Sequence, residues 1–178
     1  MDVRQANQAD FEACLALPPT VQTTHVWQLR LAYDPISVQP TEELGGTLHC
    51  TRLPRPIVLK PASVEPLDVL WARAAEVLVV EDDHGVGGYV ALTVDEGATT
   101  IGRLVVAPTL RRGGVGGALL RAAQQWSSAM GLERLVGHCS ARNHPAVNFY
   151  LRWGLRFAGY SEAFYPYGEV ALFFHVPT

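Results

Sequence analysis

The run from Leu104 to Leu120 holds the residue types that can cradle a pyrophosphate. Apolar Leu104, Val105 and Val106 lead through Pro108 into Arg111 and Arg112, then Gly113, Gly114, Val115, Gly116, Gly117 and Ala118. Without Cβ atoms, the four glycines let backbone N–H groups come close to an anion. A helix starting here would add unpaired N-terminal donors and the positive end of its dipole. The turn needs neither Arg111 nor Arg112, so both are free to face phosphate. A Walker A loop requires Lys and then Ser or Thr after its last glycine. Here Gly117 and Ala118 follow Gly116, and the only lysine is Lys60. The dinucleotide fingerprint also fails, because Leu119 stands where its third glycine belongs. The pattern that fits is Arg-x-x-Gly-x-Gly, on Arg111, Gly114 and Gly116. A plain glycine-rich turn before a helix is the alternative when the loop is taken alone.

The elements that must position this loop are readable on both sides. Leu119, Ala122, Ala123, Trp126, Ala129 and Met130 recur at helical spacing, and Gly131 stands where a helix C-cap belongs. Arg134–Cys139 reads as a short strand. Asn143 precedes Pro145, which suits the first turn of a helix. Ala146, Phe149, Tyr150 and Trp153 share one face of that helix, and Gly154 ends it. Leu155–Phe157 opens another strand. Upstream, Val77–Val80 reads as a buried strand, residues 82–85 as a turn around His84, and Val86–Val94 as the strand that pairs back. Thr20–Ala32 reads as a helix carrying Val21, Val26, Trp27 and Leu31. Gly46–Thr51 and Ile57–Leu59 read as strands, with Pro54 and Pro56 marking an edge or a loop. Pro35, Pro40, Pro61 and Pro66 break up the rest of residues 34–72.

The Arg111–Gly116 pattern resembles the acyl-CoA pyrophosphate loop of the GNAT superfamily of N-acetyltransferases. The string from Asn143 to Leu155 is similar to that superfamily's second signature: Asn143, a small residue at Ala146, Phe149-Tyr150, and Gly154-Leu155, with Leu155 in place of the usual Phe. Val3–Leu15 looks like the opening strand and first helix, with Asp10 near the cap. The resemblance is clear over residues 76–160 and weakest over 34–72. It implies one α/β domain over residues 1–178: a mixed, mostly antiparallel sheet of about seven strands, flanked by helices and splayed between the two strands around the CoA site. Residues 1–75 would form the acceptor side and 76–178 the acetyl-CoA side.

The resemblance also implies the chemistry. An amine would attack the thioester of acetyl-CoA directly. Cofactor contacts map onto Leu104, Val105, Val106, Arg111–Ala118, Asn143 and Tyr150. A backbone N–H at Val105 or Val106 would meet the oxyanion, and Tyr150 would protonate the departing thiolate. The base is less legible. Residues 98–106 hold no carboxylate where many members carry Glu, near Thr100. Other members carry Glu five residues before the Asn, and here that position is His138. Histidine can take a proton near neutrality, which would give an acidic limb there in the pH–rate profile. A strand histidine satisfied by packing is the plain alternative. Glu96, beside Asp95, is a second candidate and otherwise a solvated turn residue.

Two functions stay open: an N-acetyltransferase for a small amine or a peptide N-terminus, and a non-catalytic acyl-CoA-binding module without a base. His138, Cys139 and His144 fit no common zinc spacing, so no metal is expected. Tyr160, Phe164, Tyr165 and Tyr167 suggest core packing, a homodimer interface or a wall of the acceptor site. A net charge of −3 argues against a nucleic-acid surface. No long apolar run suggests a membrane span, and the N-terminus lacks a signal-peptide pattern. Three cysteines without close pairing suit reduced thiols in the cytoplasm.

Overall fold

The structure, a computed structural model, describes residues 2–32, 36, 45–62, 65–83 and 85–178. Pro35, Pro40 and His84 lie outside the described residues. Nine strands and four α-helices are described: β1 Val3–Gln5, α1 Phe11–Ala16, β2 Val21–Leu31, β3 Gly46–Leu59, α2 Leu67–Arg73, β4 Glu76–Asp82, β5 Gly85–Asp95, β6 Ala98–Val106, α3 Val115–Ala129, β7 Arg134–Ser140, α4 His144–Arg152, β8 Arg156–Ser161 and β9 Ala171–Pro177. Seven strands make one sheet in the order β1-β4-β5-β6-β7-β9-β8, and β2 and β3 make a separate pair. Only β6 and β7 run parallel; every other neighbour is antiparallel.

The sheet is covered on both faces, so its middle strands are apolar in both directions. Val80, Val90, Leu92 and Ile101 pack with Leu119, Leu120 and Ala123 of α3 on one side. Val79, Tyr89 and Ala91 pack with Leu70 of α2 and Cys14 of α1 on the other. Thr99 and Ser127 share a buried hydrogen bond of 2.6 Å that ties β6 to α3. Gly131, at φ +70°, follows α3 as a left-handed stop. At the N-terminus, Asp10 does not cap α1 with its side chain. It accepts from the Asn7 N–H at 2.8 Å and from the Arg4 guanidinium at 2.7 Å.

The segment read as a helix over Thr20–Ala32 is a strand. Its residues at every second position, Val21, Thr23, His25, Trp27, Leu29 and Leu31, include β-branched and aromatic types that suit a pleated surface. Long-range pairing with β3 decides the matter. The two short strands expected at 46–51 and 57–59 are one continuous β3, which carries Pro54 and Pro56 on a hairpin open along one edge.

Candidate active site

β6 and β7 pair at only three positions, Ala98 with Arg134, Thr99 with Leu135 and Thr100 with Val136. Beyond Ile101 the strands part. β6 stays with β5, and β7 stays with β9 as far as Ser140. Gly102 is an extra residue in the β5–β6 register, and a Cβ there would meet Leu70 at 2.8 Å. The wedge between the strands opens into a cleft of about 170 Å³. Its walls include Gly102 and Leu104 of β6, His138 and Ser140 of β7, Tyr150 of α4, and Tyr165 and Glu169 from the β8–β9 connection. Val21, Leu59 and Lys60 of the β2–β3 hairpin close one side.

Tyr150 and His138 reach this cleft from opposite faces of β7. Side chains alternate along a strand. The Gly137 position faces α4, where a Cβ would stand 2.7 Å from the Tyr150 ring and 3.1 Å from its hydroxyl. Tyr150 therefore lies flat across β7, buried against Phe174. Burial pushes its phenol far above the usual tyrosine value, so it stays protonated. Gly137 is a site residue that the sequence reading missed; a glycine one residue before His138 was its only signal. Replacing it with Ala should drive the Tyr150 hydroxyl from its place and lower kcat while the CoA-dependent rise in Tm persists. An unchanged kcat would show that this close approach carries no function.

His138 is half-buried among Phe164, Tyr165 and Phe173. Its Nδ1 and the Tyr165 hydroxyl are 2.7 Å apart. Burial lowers its pKa to about 4. This runs against the neutral-pH acidic limb expected from sequence, because desolvation disfavours imidazolium. The unfolded chain, with an ordinary histidine near 6.5, binds this proton first. The stability contribution is full above pH 6.5 and is lost as pH falls toward 4. Thermal melts of His138→Asn should lose that part of the acid sensitivity; identical Tm-against-pH curves for both proteins would contradict it.

Glu169 accepts a hydrogen bond from the Ser140 hydroxyl, on the same face of β7 as His138. It is the second site residue that sequence reasoning missed, because it lies in a segment with no motif. Glu96 is not brought to the cleft. It sits exposed at φ +45° in the β5–β6 turn and does not line the walls. Asn143 lines the cleft and caps α4, accepting from the Ala146 N–H at 3.2 Å.

The glycine loop divides into two parts. Gly114, at φ +92°, is the N-cap of α3, and no side chain caps that helix. The first-turn N–H groups of Val115, Gly116 and Gly117 are therefore left for a ligand. Gly116 and Gly117, however, also serve packing. A Cβ on Gly116 would meet Phe149 at 3.2 Å, and one on Gly117 would overlap the Trp153 ring at 1.8 Å. Arg112 is exposed at φ +69°. Arg111 is not free as expected: its Nε donates to the Val106 carbonyl at 3.0 Å and its guanidinium to the Pro18 carbonyl at 3.2 Å. The reason is local: the short helical turn at Pro108–Leu110 brings Arg111 back beside Val106, the last residue of β6. Leu104, Val105 and Val106 lie on the stretch of β6 that β7 no longer covers. Among the described residues, no cluster of His, Cys, Asp or Glu could hold a metal ion, and no helix is long and apolar enough to cross a membrane.

Comparison with known proteins fits this geometry. The sequence profile of the Acetyltransferase (GNAT) family matches residues 48–155. No curated protein matches the chain. Among solved structures, nourseothricin acetyltransferase superimposes with a TM-score of 0.81 at 26% identity, covering 99% of this chain and 97% of that one. A protein from Bacillus anthracis str. Ames, described as a streptothricin acetyltransferase and holding acetyl coenzyme A, has the same fold, with a TM-score of 0.78 at 15% identity over 99% of both chains. The ribosomal-protein-S18-alanine N-acetyltransferase of Escherichia coli also shares it, with a TM-score of 0.64 at 15% identity over 99% and 92%. With a profile spanning more than half of its length and an open β6–β7 wedge above a glycine-capped helix, the chain belongs to the GNAT acetyltransferase family.

Proposed function

We propose that the protein transfers the acetyl group of acetyl-CoA to a primary amine by direct attack, and that the amine sits on a small cationic molecule. The observation that carries this reading is the meeting of His138 and Tyr150 at one cleft, where β6 and β7 part. The acceptor nitrogen attacks the thioester carbonyl, and its proton passes to the neutral imidazole of His138, directly or through water. For that role Nε2 must carry the lone pair, so Nδ1–H donates to the Tyr165 oxygen. Tyr165 thus fixes the tautomer, as a positioning residue. Backbone donors on the open edge of β6, at Val105 or Val106, meet the oxyanion. Collapse expels the CoA thiolate, which takes the Tyr150 proton. The pyrophosphate would rest on Gly113, Gly114 and the first turn of α3, with Arg112 beside it. Glu169, on the His138 side, draws a cationic acceptor toward the reacting end.

A streptothricin-class antibiotic heads the candidate acceptors, because the 26%-identical neighbour covers both chains almost end to end. A peptide N-terminus is the second. The test is a panel of nourseothricin, small diamines and a peptide with N-terminal alanine, each with acetyl-CoA and thiol-release detection, alongside calorimetric CoA binding. Release of one thiol per acetylated amine is expected. CoA binding without turnover over the whole panel would overturn the reading and leave a non-catalytic acyl-CoA-binding module.

A further inference from the structure

Away from the cleft, the β2–β3 hairpin meets the start of α4. Three side chains line up there that neither the cofactor loop nor the cleft uses. Cys50 on β3 is exposed, and its Sγ lies 3.6 Å from Nδ1 of His144. The other imidazole nitrogen, Nε2, lies 2.7 Å from Nδ2 of the Asn148 side-chain amide, one helical turn on. The Asn148 amide presents its oxygen there after a half turn, since oxygen and nitrogen occupy nearly the same shape. None of the three lines the acyl cleft. A thiol, an imidazole and an amide in this order are the parts of an activated sulfur nucleophile.

The surroundings hold the imidazole in place. His144 stacks on His25 of β2 with ring centroids 4.9 Å apart, and Trp27 lies 6.0 Å away on the same strand. The Trp27 backbone N–H donates to the Ala141 carbonyl at 2.8 Å, which fastens the hairpin to the loop before α4. Trp27 is also the register partner of Cys50. Burial and the neighbouring His25 lower the pKa of His144, so its ring is a neutral proton acceptor at neutral pH. The other two cysteines are unlike Cys50. Cys14 and Cys139 are buried, and burial pushes both thiols up to about 12.

We infer that Cys50, His144 and Asn148 form a reactive thiol site that exchanges with low-mass disulfides. As Sγ attacks one sulfur of the disulfide, His144 Nδ1 takes its proton, and Asn148 accepts the Nε2–H of the resulting imidazolium. The disulfide's S–S bond breaks while a new one forms to Cys50. The leaving thiolate takes a proton from the imidazolium or from water. No further oxidant is needed, because the small disulfide is the oxidant. The site stands independently of the acyl-transfer reading.

The experiment uses an aromatic disulfide, 5,5′-dithiobis(2-nitrobenzoate), and glutathione disulfide on the native full chain, with peptide mass mapping. Cys50 alone should be labelled, at least about tenfold faster than free glutathione thiol at pH 7. His144→Gln should bring the rate down to that of an ordinary exposed thiol with Tm and CoA binding unchanged. Asn148→Ala should lower it, and Asn148→Asp should restore it, which a purely structural role would not do. Cys50→Ser should abolish labelling and leave acetyl transfer intact. Labelling of Cys50 no faster than glutathione, or an unchanged rate in His144→Gln and Asn148→Ala alike, would overturn the site. Should His144→Gln fail to fold, the Asn148 pair decides alone.

Discussion

Tyr150→Phe is expected to keep the fold and CoA binding while lowering kcat by about 10²–10⁴-fold, the usual worth of a positioned general acid. The ring does most of the packing. It lies over Gly137 and 5.3 Å from the Phe174 centroid, and Phe retains both contacts. Only the hydroxyl is removed, and burial holds that hydroxyl protonated. In the proposed mechanism the CoA thiolate would then depart unprotonated. The measurement is kcat for the best acceptor, with single-turnover data to show that chemistry limits the rate. A chemical step as fast as in the wild type would take Tyr150 out of the mechanism. A fall in CoA-dependent Tm shift together with kcat would mean that the hydroxyl serves binding instead.

Gly117→Ala should lower Tm by about 2–12 °C, from an overpacking cost of about 1–3 kcal/mol. The sign is what makes this test sharp. Alanine in a helix interior ordinarily stabilises by about 1 kcal/mol over glycine. Here the new Cβ falls 1.8 Å from the Trp153 ring, which also carries Arg121 over its face at 4.8 Å. The backbone of α3 cannot yield cheaply, because Leu119, Leu120 and Ala123 are fully buried. Trimming the ring in a Gly117→Ala, Trp153→Leu double variant should recover part of the loss. A rise in Tm for the single variant would show that α3 and α4 do not meet in this way. The same crowding bears on Gly116→Val: a bulky residue there strikes Phe149 as well as the ligand path, so lost CoA binding is meaningful only if Tm in the absence of CoA is preserved.

The helix-to-strand rhythm of residues 76–160 was legible because each element carries local punctuation. Asn143 caps α4, Pro145 sits in its first turn, and Gly131 and Gly154 stop their helices at positive φ. Strand β2 was not legible, and β3 was legible only as two pieces. Val21, Val26, Trp27 and Leu31 satisfy a helical spacing as well as a strand, and the partner that decides lies across a proline-marked stretch. Within the site, Tyr150 and His138 stood out through their distance from Asn143. Tyr165 stood out only as one of an aromatic cluster, and Glu169 not at all, because the β8–β9 connection brings them to β7 by topology alone. The dual duty of the glycines was equally hidden. Sequence shows that Gly116 and Gly117 lack a Cβ, and only the fold shows that aromatic rings of α4 occupy the space.

The three-rung contact between β6 and β7 gives the molecule a seam. On one side lies a four-stranded block of β1, β4, β5 and β6; on the other, a three-stranded block of β7, β9 and β8. Anything that fills the wedge and touches both blocks works as a rivet across a joint with few bolts of its own. A ligand at a concentration hundredfold above its Kd adds about 2.7 kcal/mol to global stability. The amides that slow first in hydrogen exchange should be those flanking the seam, at residues 101–106 and 137–140, rather than those deep in either block. Occupancy of the cleft could then be read from backbone protection alone, before the acceptor is known.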